Sequence, residues 1–305
     1  MAKKAVLVGI HYHSFHAKHQ LGSAYQDVDD VKAFLIDTLG FEEENITELK
    51  DDVDADDPQY PGEQNLKNAL TQLVEGATEG DHLVFHFSGH GSQTRDQNGD
   101  EADGMDETIW PADAVPNKKM TDARGAIIDD WIKAEVVDKV PAGAKLVIFL
   151  DCCHSGTGAD LPNTYTDGDE LPPHSKHKVA MKKLTKEPAN AEAVVVSWAA
   201  CQDPHLTISF SESGGYFVKA FIKAYCADPA ASHSDLLHSM KDDMLQTAQA
   251  HLESKRAELG EHFERLQDWW EDAQSEPVLG ILNDEGEVLA SAVAGTFGAE
   301  RAVDP

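Results

Sequence analysis

The stretch Asp81-His82-Leu83-Val84-Phe85-His86-Phe87-Ser88-Gly89-His90-Gly91 decides the reading of this chain. Asp81–Ser88 reads as a buried strand, and its carboxyl end delivers an imidazole flanked by two glycines, where backbone can turn sharply and approach a substrate closely. A second stretch repeats the plan. The strand expected over Ala144–Leu150 runs into Asp151-Cys152-Cys153-His154-Ser155-Gly156. A thiol must lose its proton to attack a carbonyl, and a nearby imidazole can take it. A lone strand cysteine is usually a small buried hydrophobe. Two strand ends carrying glycine-flanked His and Cys in one chain make coincidence a poor account. Strand alternation puts Asp151 and Cys153 on one side and Cys152 on the other, and gives Ser88 and His90 a common side.

Working outward, short apolar runs alternate with helical patterns. Lys4–Ile10, Asn45–Leu49 and Val194–Ala200 read as further strands. Tyr25–Leu39, Gln64–Thr78, Asp130–Val137 and Tyr216–Tyr225 read as helices, the last following Gly214-Gly215. This alternation predicts an α/β fold with a mostly parallel central sheet flanked by helices on both faces. In such sheets the site lies beyond the carboxyl ends of the strands. Two segments break the rhythm. Gly91–Thr121 is polar, rich in Asp and Gly, and long for a connection. Thr157–Ala189 has the proline, glycine and lysine content of a mobile surface loop. Ser234–Gln274 reads as one long helix, or a hairpin broken near Gly260, packed on the body through Leu237, Met240 and Met244.

With 305 residues, 41% of them hydrophobic, the chain can bury a sizeable core. Its net charge of −30 disfavours nucleic acid and anionic membrane as partners and favours cations and basic peptides. No stretch approaches the ~20 apolar residues of a membrane span. The opening Met1–Ile10 reads as a first strand, not a signal peptide. The 4 cysteines form neither a disulfide framework nor a C-x-x-C zinc pair, which points to a reducing compartment, cytoplasmic or nuclear.

Ser-Gly-His-Gly followed by Asp-x-Cys-His-Ser-Gly resembles the paired signature of the type I metacaspases. The likeness extends to Val6–Ile10, the acidic segment Asp96–Asp113, Ile127–Asp130 and Val195–Cys201, with a weaker echo at Glu276–Ile281. It implies a caspase–hemoglobinase fold in a single domain over 1–305. That domain would comprise a 1–160 region with the His/Cys dyad, a lysine-rich loop at 161–190, and a 191–305 region with an extra helical segment at 234–274. It implies Cys153 as nucleophile, His90 as general acid/base, and the backbone N–H groups of Gly91 and Cys153 as oxyanion donors. Asp27, Ser88 and Asp151 map to the family's pocket for a basic side chain, although Ala24 replaces a pocket cysteine. Asp106, Asp129, Asp130 and Asp160 map to its calcium site, and hard carboxylate oxygens suit Ca²⁺. An EF-hand-like match over Asp96–Glu107 is weak, and Asp129 can equally cap the helix expected from Asp130.

The resemblance thus implies a calcium-dependent cysteine endopeptidase. Its substrates would be proteins or peptides with Arg or Lys at the cleaved position, and it would act as a monomer without an N-terminal prodomain. Lys176, Lys178, Lys182, Lys183 and Lys186 are the candidate positions for cleavage of the chain by itself, tethered at high effective concentration. A legumain-like or gingipain-like protease is one alternative. A catalytically silent, calcium-binding scaffold or aggregate-clearance factor is the other.

Overall fold

The computed structural model describes residues 1–96, 98–99, 104–152, 158–167, 179–183, 193–200, 215–254, 256, 277–282 and 293–297. From the amino end the elements are β1 (Lys3–Gly9), α1 (Ala24–Ala33), β2 (Ile46–Lys50), α2 (Glu63–Val74), β3 (His82–Ser88), β4 (Gly91–Arg95) and β5 (Met105–Ile109). Next come β6 (Val115–Pro116), β7 (Ala123–Arg124), β8 (Ile127–Ile128), α3 (Asp129–Glu135) and β9 (Lys145–Asp151). The chain continues through β10 (Asn163–Asp167), β11 (Val179–Lys183), β12 (Val194–Ala199), α4 (Tyr216–Ala227), α5 (His233–Ser254) and β13 (Val278–Ile281).

The main sheet is 8-stranded in the order β11-β10-β13-β12-β9-β3-β1-β2. From β2 to β12 every neighbouring pair is parallel. Strand β13 then pairs antiparallel with β12, as β10 does with β13 and β11 with β10. Both faces are covered, because the central strands are apolar on alternate residues in both directions. Leu83, Phe85, Phe87, Leu146 and Ile148 join the core packed with Leu66, Leu70 and Leu73 of α2. Leu7, Val84, Val147, Phe149 and Trp198 face the other way, onto Val28 and Val31 of α1 and Phe217 and Phe221 of α4. The buried face of α5 carries Leu237, Met240, Met244 and Ala248 on this second side. No described helix is long and apolar enough to cross a membrane.

Several expectations need correction. The polar segment after His90 is not an irregular connection: β4 and β5 pair antiparallel, with β8 beside β5, in a 3-stranded sheet. Its polarity is satisfied across the strands, with Ser92 Oγ 2.8 Å from Thr108 Oγ1 and Gln93 donating to Glu107 at 2.9 Å. Strands, not helices, therefore flank the EF-hand-like stretch. The segment read as a surface loop contributes β10 and β11 to the main sheet, so Lys182 and Lys183 lie on an edge strand, opposite Thr164 and Asn163. Lys176, Lys178 and Lys186 lie outside the described residues. The first helix gives way to a π-turn at Phe34–Thr38, where Phe34 and Leu35 are drawn into the core. The second stops at Val74, ahead of Gly76 at φ 68°. Helix α5 spans His233–Ser254, and the expected helical residues beyond 256 lie outside the described residues.

Candidate active site

The site forms where β1, β3 and β9 end together. Register pairs Gly9 with Ser88 and Ser88 with Asp151, so the side chains following these residues emerge at one rim. Alternation holds as far as β9 is described. Cys152 packs into the core on the α2 side, whereas Asp151 lies on the α1 side with Asp27. Cys153, the expected nucleophile, lies outside the described residues, immediately beyond Cys152. The parity assigned to Ser88 and His90 fails, because β3 ends at Ser88 and the chain turns at Gly89. Ser88 faces Asp27 of α1, while the His90 ring packs among Tyr12, Phe15 and Trp110.

Asp27, Ser88 and Asp151 are brought together in the interior. Asp27 accepts the Ser88 hydroxyl at 2.8 Å on Oδ2 and the Gly215 N–H at 2.5 Å on Oδ1. The Asp151 Oδ2 is buried with no hydrogen-bond partner. A Cβ on Gly215 would stand 2.3 Å from that oxygen and 3.2 Å from Asp27 Oδ1, so only glycine lets the chain pass both carboxylates. Burial pushes Asp27 up to about 6, although the Gly215 N–H and the Ser88 hydroxyl pull against it. Burial, and then repulsion from Asp27, push Asp151 well above the usual carboxylate range. Two buried acids, one with an unpartnered oxygen, form an acceptor for a positive group.

His90 is oriented by a contact that sequence reading missed. Its Nε2 stands 2.7 Å from the His19 carbonyl oxygen, an acceptor, so Nε2 carries the proton and Nδ1 holds the free lone pair. Burial lowers its affinity for a proton, and the His19 carbonyl opposes that. The ring is therefore neutral near pH 7 and able to receive a proton. The segment presenting His19 is held at its base by Asp51, which accepts N–H bonds from His11 at 2.7 Å and His13 at 3.3 Å. Gln20 ties its middle by donating to the carbonyls of His13 and Phe15. Gly91, the expected oxyanion donor, opens β4 directly after His90.

The four expected metal ligands sit on β5, on α3 and ahead of β10. Asp106, Asp129 and Asp160 are buried, the last at φ 46°. Asp129 is not a cap; it is the first residue of α3 after an Ile128 N-cap. Its carboxylate accepts from Glu107 N–H at 3.0 Å and Asp130 N–H at 2.8 Å. Asp130 accepts from the Asn98 amide at 2.6 and 2.7 Å. Burial first, then the buried Glu107 and also Asp160, push Asp129 well above the usual range. Glu107 thus belongs to this acidic group, and only the weak EF-hand-like match had pointed to it. Among the described residues no three such side chains converge tightly enough to ligate one ion. The donor chemistry, hard carboxylates that repel one another when buried, fits a divalent cation.

Residues 3–162 match the metacaspase peptidase C14 domain. Metacaspase-1 of Cryptococcus neoformans is 32% identical over 283 residues, covering 79% of this chain and 59% of its own length. Metacaspase-1 of Arabidopsis thaliana is 34% identical over 259 residues, covering 80% of this chain and 65% of its own. The chain thus spans less than two thirds of these relatives. A solved protein of Geobacter sulfurreducens, 18% identical, superposes with a TM-score of 0.59 over 95% of this chain and 97% of its own, and shares the fold. The matched segment runs from β1 past both motif-bearing strand ends, on a sheet of the caspase–hemoglobinase type, and the chain belongs to the metacaspase family.

Proposed function

We propose that the chain is a cysteine endopeptidase that cleaves after Arg or Lys under the control of calcium. The observation that carries the specificity is the buried pair Asp27 and Asp151, with the Asp151 Oδ2 unpartnered beside Gly215. A guanidinium or ammonium there offsets the cost of burying the two carboxylates and the repulsion of Asp151 by Asp27. A neutral or acidic side chain offers no such gain.

The chemistry follows from the His90 tautomer. Nδ1 takes the Cys153 thiol proton as sulfur attacks the scissile carbonyl carbon. The backbone N–H groups of Gly91 and Cys153 receive the oxyanion. The imidazolium then returns its proton to the departing amine, leaving a thioester. A water molecule, giving a proton to Nδ1, releases the carboxylic acid and restores the thiol. Asp106, Asp129, Asp130 and Asp160 are the residues that would hold Ca²⁺. The ion would supply positive charge that draws β5, α3 and the segment ahead of β10 together, next to the nucleophile.

Self-cleavage in the lysine-rich segment extends this reading. Lys182 and Lys183 belong to a strand paired along its length with β10, a poor form for a protease substrate. The proposal therefore narrows to Lys176, Lys178 and Lys186. The test adds millimolar calcium to purified protein and maps new termini by mass spectrometry, with Arg-, Lys- and Asp-terminated reporter peptides in parallel. Wild type should cut itself after one of these lysines and process the Arg and Lys reporters, and Cys153→Ala should do neither. Equal self-cleavage in chelator removes the calcium control, and efficient cleavage after Asp removes the specificity.

A further inference from the structure

We propose that Tyr12 is the positioning residue of His90, setting the imidazole through its backbone. Tyr12 follows β1 and is fully buried, and its φ of 57° is uncommon for a residue with a side chain. Its hydroxyl accepts the His90 N–H at 2.8 Å and donates to the Trp110 carbonyl at 2.6 Å. Trp110 N–H in turn donates to the His90 carbonyl at 3.0 Å. The three residues close a circuit in which both backbone polar groups of His90 are taken, one by a side chain from a different strand end.

A circuit is needed here because the sheet has run out. β3 ends at Ser88 and β4 begins at Gly91; between them Gly89 N–H still reaches the Asp151 carbonyl at 3.3 Å, but the His90 N–H finds its partner in a side chain. A buried N–H without a partner is costly, and phenylalanine in place of Tyr12 would leave one. The Tyr12 ring also lies 4.6 Å from the imidazole, and its carbonyl accepts the Phe15 N–H that starts the turn toward His19. One residue thus sets the imidazole from below and begins the segment whose carbonyl fixes its tautomer. Gly89 leaves the required room, since a Cβ there would stand 2.8 Å from the Tyr12 hydroxyl.

This inference rests on the reading of His90 as the proton-transfer group, and its test separates the two. Tyr12→Phe keeps the ring and removes only the bridging oxygen. For an Arg or Lys reporter peptide, kcat should fall about tenfold or more while KM stays within about twofold, because the pocket acids are untouched. In the Cys153→Ala background, ¹⁵N NMR of the His90 ring should change from a single Nε2–H tautomer to a mixture when Tyr12→Phe is added. If Tyr12→Phe does not fold, Gly89→Ala, whose Cβ would press on the Phe87 ring at 2.6 Å as well as on that hydroxyl at 2.8 Å, should give the same two results. An unchanged kcat, a KM that rises in proportion, or an unchanged ring tautomer in the folded variant overturns the proposal. A wild type with no peptidase activity overturns the functional reading instead, and the NMR arm still decides the role of Tyr12.

Discussion

Two groups of buried carboxylates lie within this fold, and they are built differently. At the strand ends, Asp27 is held by a hydroxyl and one backbone N–H, while Asp151 keeps an oxygen with no hydrogen-bond partner. Under the small sheet, both oxygens of Asp129 are engaged by backbone N–H groups, and its acidic neighbours come from separate chain segments. Both groups lean toward protonation for the same two reasons, burial and mutual repulsion. A cation entering the first meets one acid at the end of a central strand and one on the helix packed against it. On the proposed reading, a cation entering the second would be shared among separate chain segments. The first arrangement suits selection among side chains, the second suits switching.

The largest effect should come from neutralising the first group. Asp151→Asn preserves shape and removes the charge, and should lower kcat/KM for Arg and Lys reporters by about 10²–10³, the cost of breaking a buried ion pair. Stability should move the other way. The raised Asp27 and Asp151 take up protons on folding, so their contribution favours the fold below the unfolded carboxylate range, and the share of Asp27 is lost as pH rises through about 6. Asp151→Asn should therefore melt higher than wild type at pH 7 and converge with it near pH 4. Equal reporter kinetics in the two proteins would break the comparison at its first term.

A smaller effect tests the second group by thermal unfolding. Calcium at about a hundred times its dissociation constant adds roughly 2.7 kcal/mol of stability, a shift of several degrees for a domain of this size. Asp129→Asn should lose that shift and Asp151→Asn should keep it. If both lose it, the two groups are one electrostatic unit and the distinction between them fails.

The smallest effect calibrates what an unanswered polar group costs here. His86 is fully buried on β3 with neither ring nitrogen hydrogen-bonded, and burial pushes it down to about 3. A lowered histidine is held neutral by the fold. Its contribution is intact above the unfolded value of about 6.5 and is lost as pH falls toward 3. His86→Leu should stabilise by about 1 kcal/mol at pH 7.5 and further at pH 4.5, read from denaturant midpoints. A variant less stable at both values would mean that the imidazole packs in a way no aliphatic side chain reproduces.

How much of this was legible depends on where each signal lives. The parallel strands β1, β3, β9 and β12 announce themselves because a parallel strand covered on both faces is apolar almost throughout, as in Leu83–Phe87 and Leu146–Leu150. The rim motifs were legible because glycine beside His90 and after Cys153 is a local choice. The small sheet was not, since Ser92 with Thr108 and Gln93 with Glu107 satisfy one another across strands and look like loop in a linear reading. Nor was β10, which is seated in the main sheet by pairing with β11 and, far along the chain, with β13. Gly215 was noticed as a helix boundary, but its place between two carboxylates needed the fold. Tyr12 and the His19 carbonyl gave no signal, because a lone tyrosine and a backbone oxygen carry none.

The position of β13 has a consequence for how the molecule comes into being. A ribosome delivers this strand after every other strand of the main sheet, yet the sheet seats it between β12 and β10. Until residue 281 has left the exit tunnel, β10 and β11 can form only a hairpin with nothing on its inner side, and two-stranded hairpins are marginal alone. Asp160, just ahead of β10, waits with them. A nascent chain, growing at about 5–20 residues per second, thus completes its His90 rim before the flank that carries Asp160. On the proposed reading, synthesis itself delays proteolytic competence until β13 has emerged.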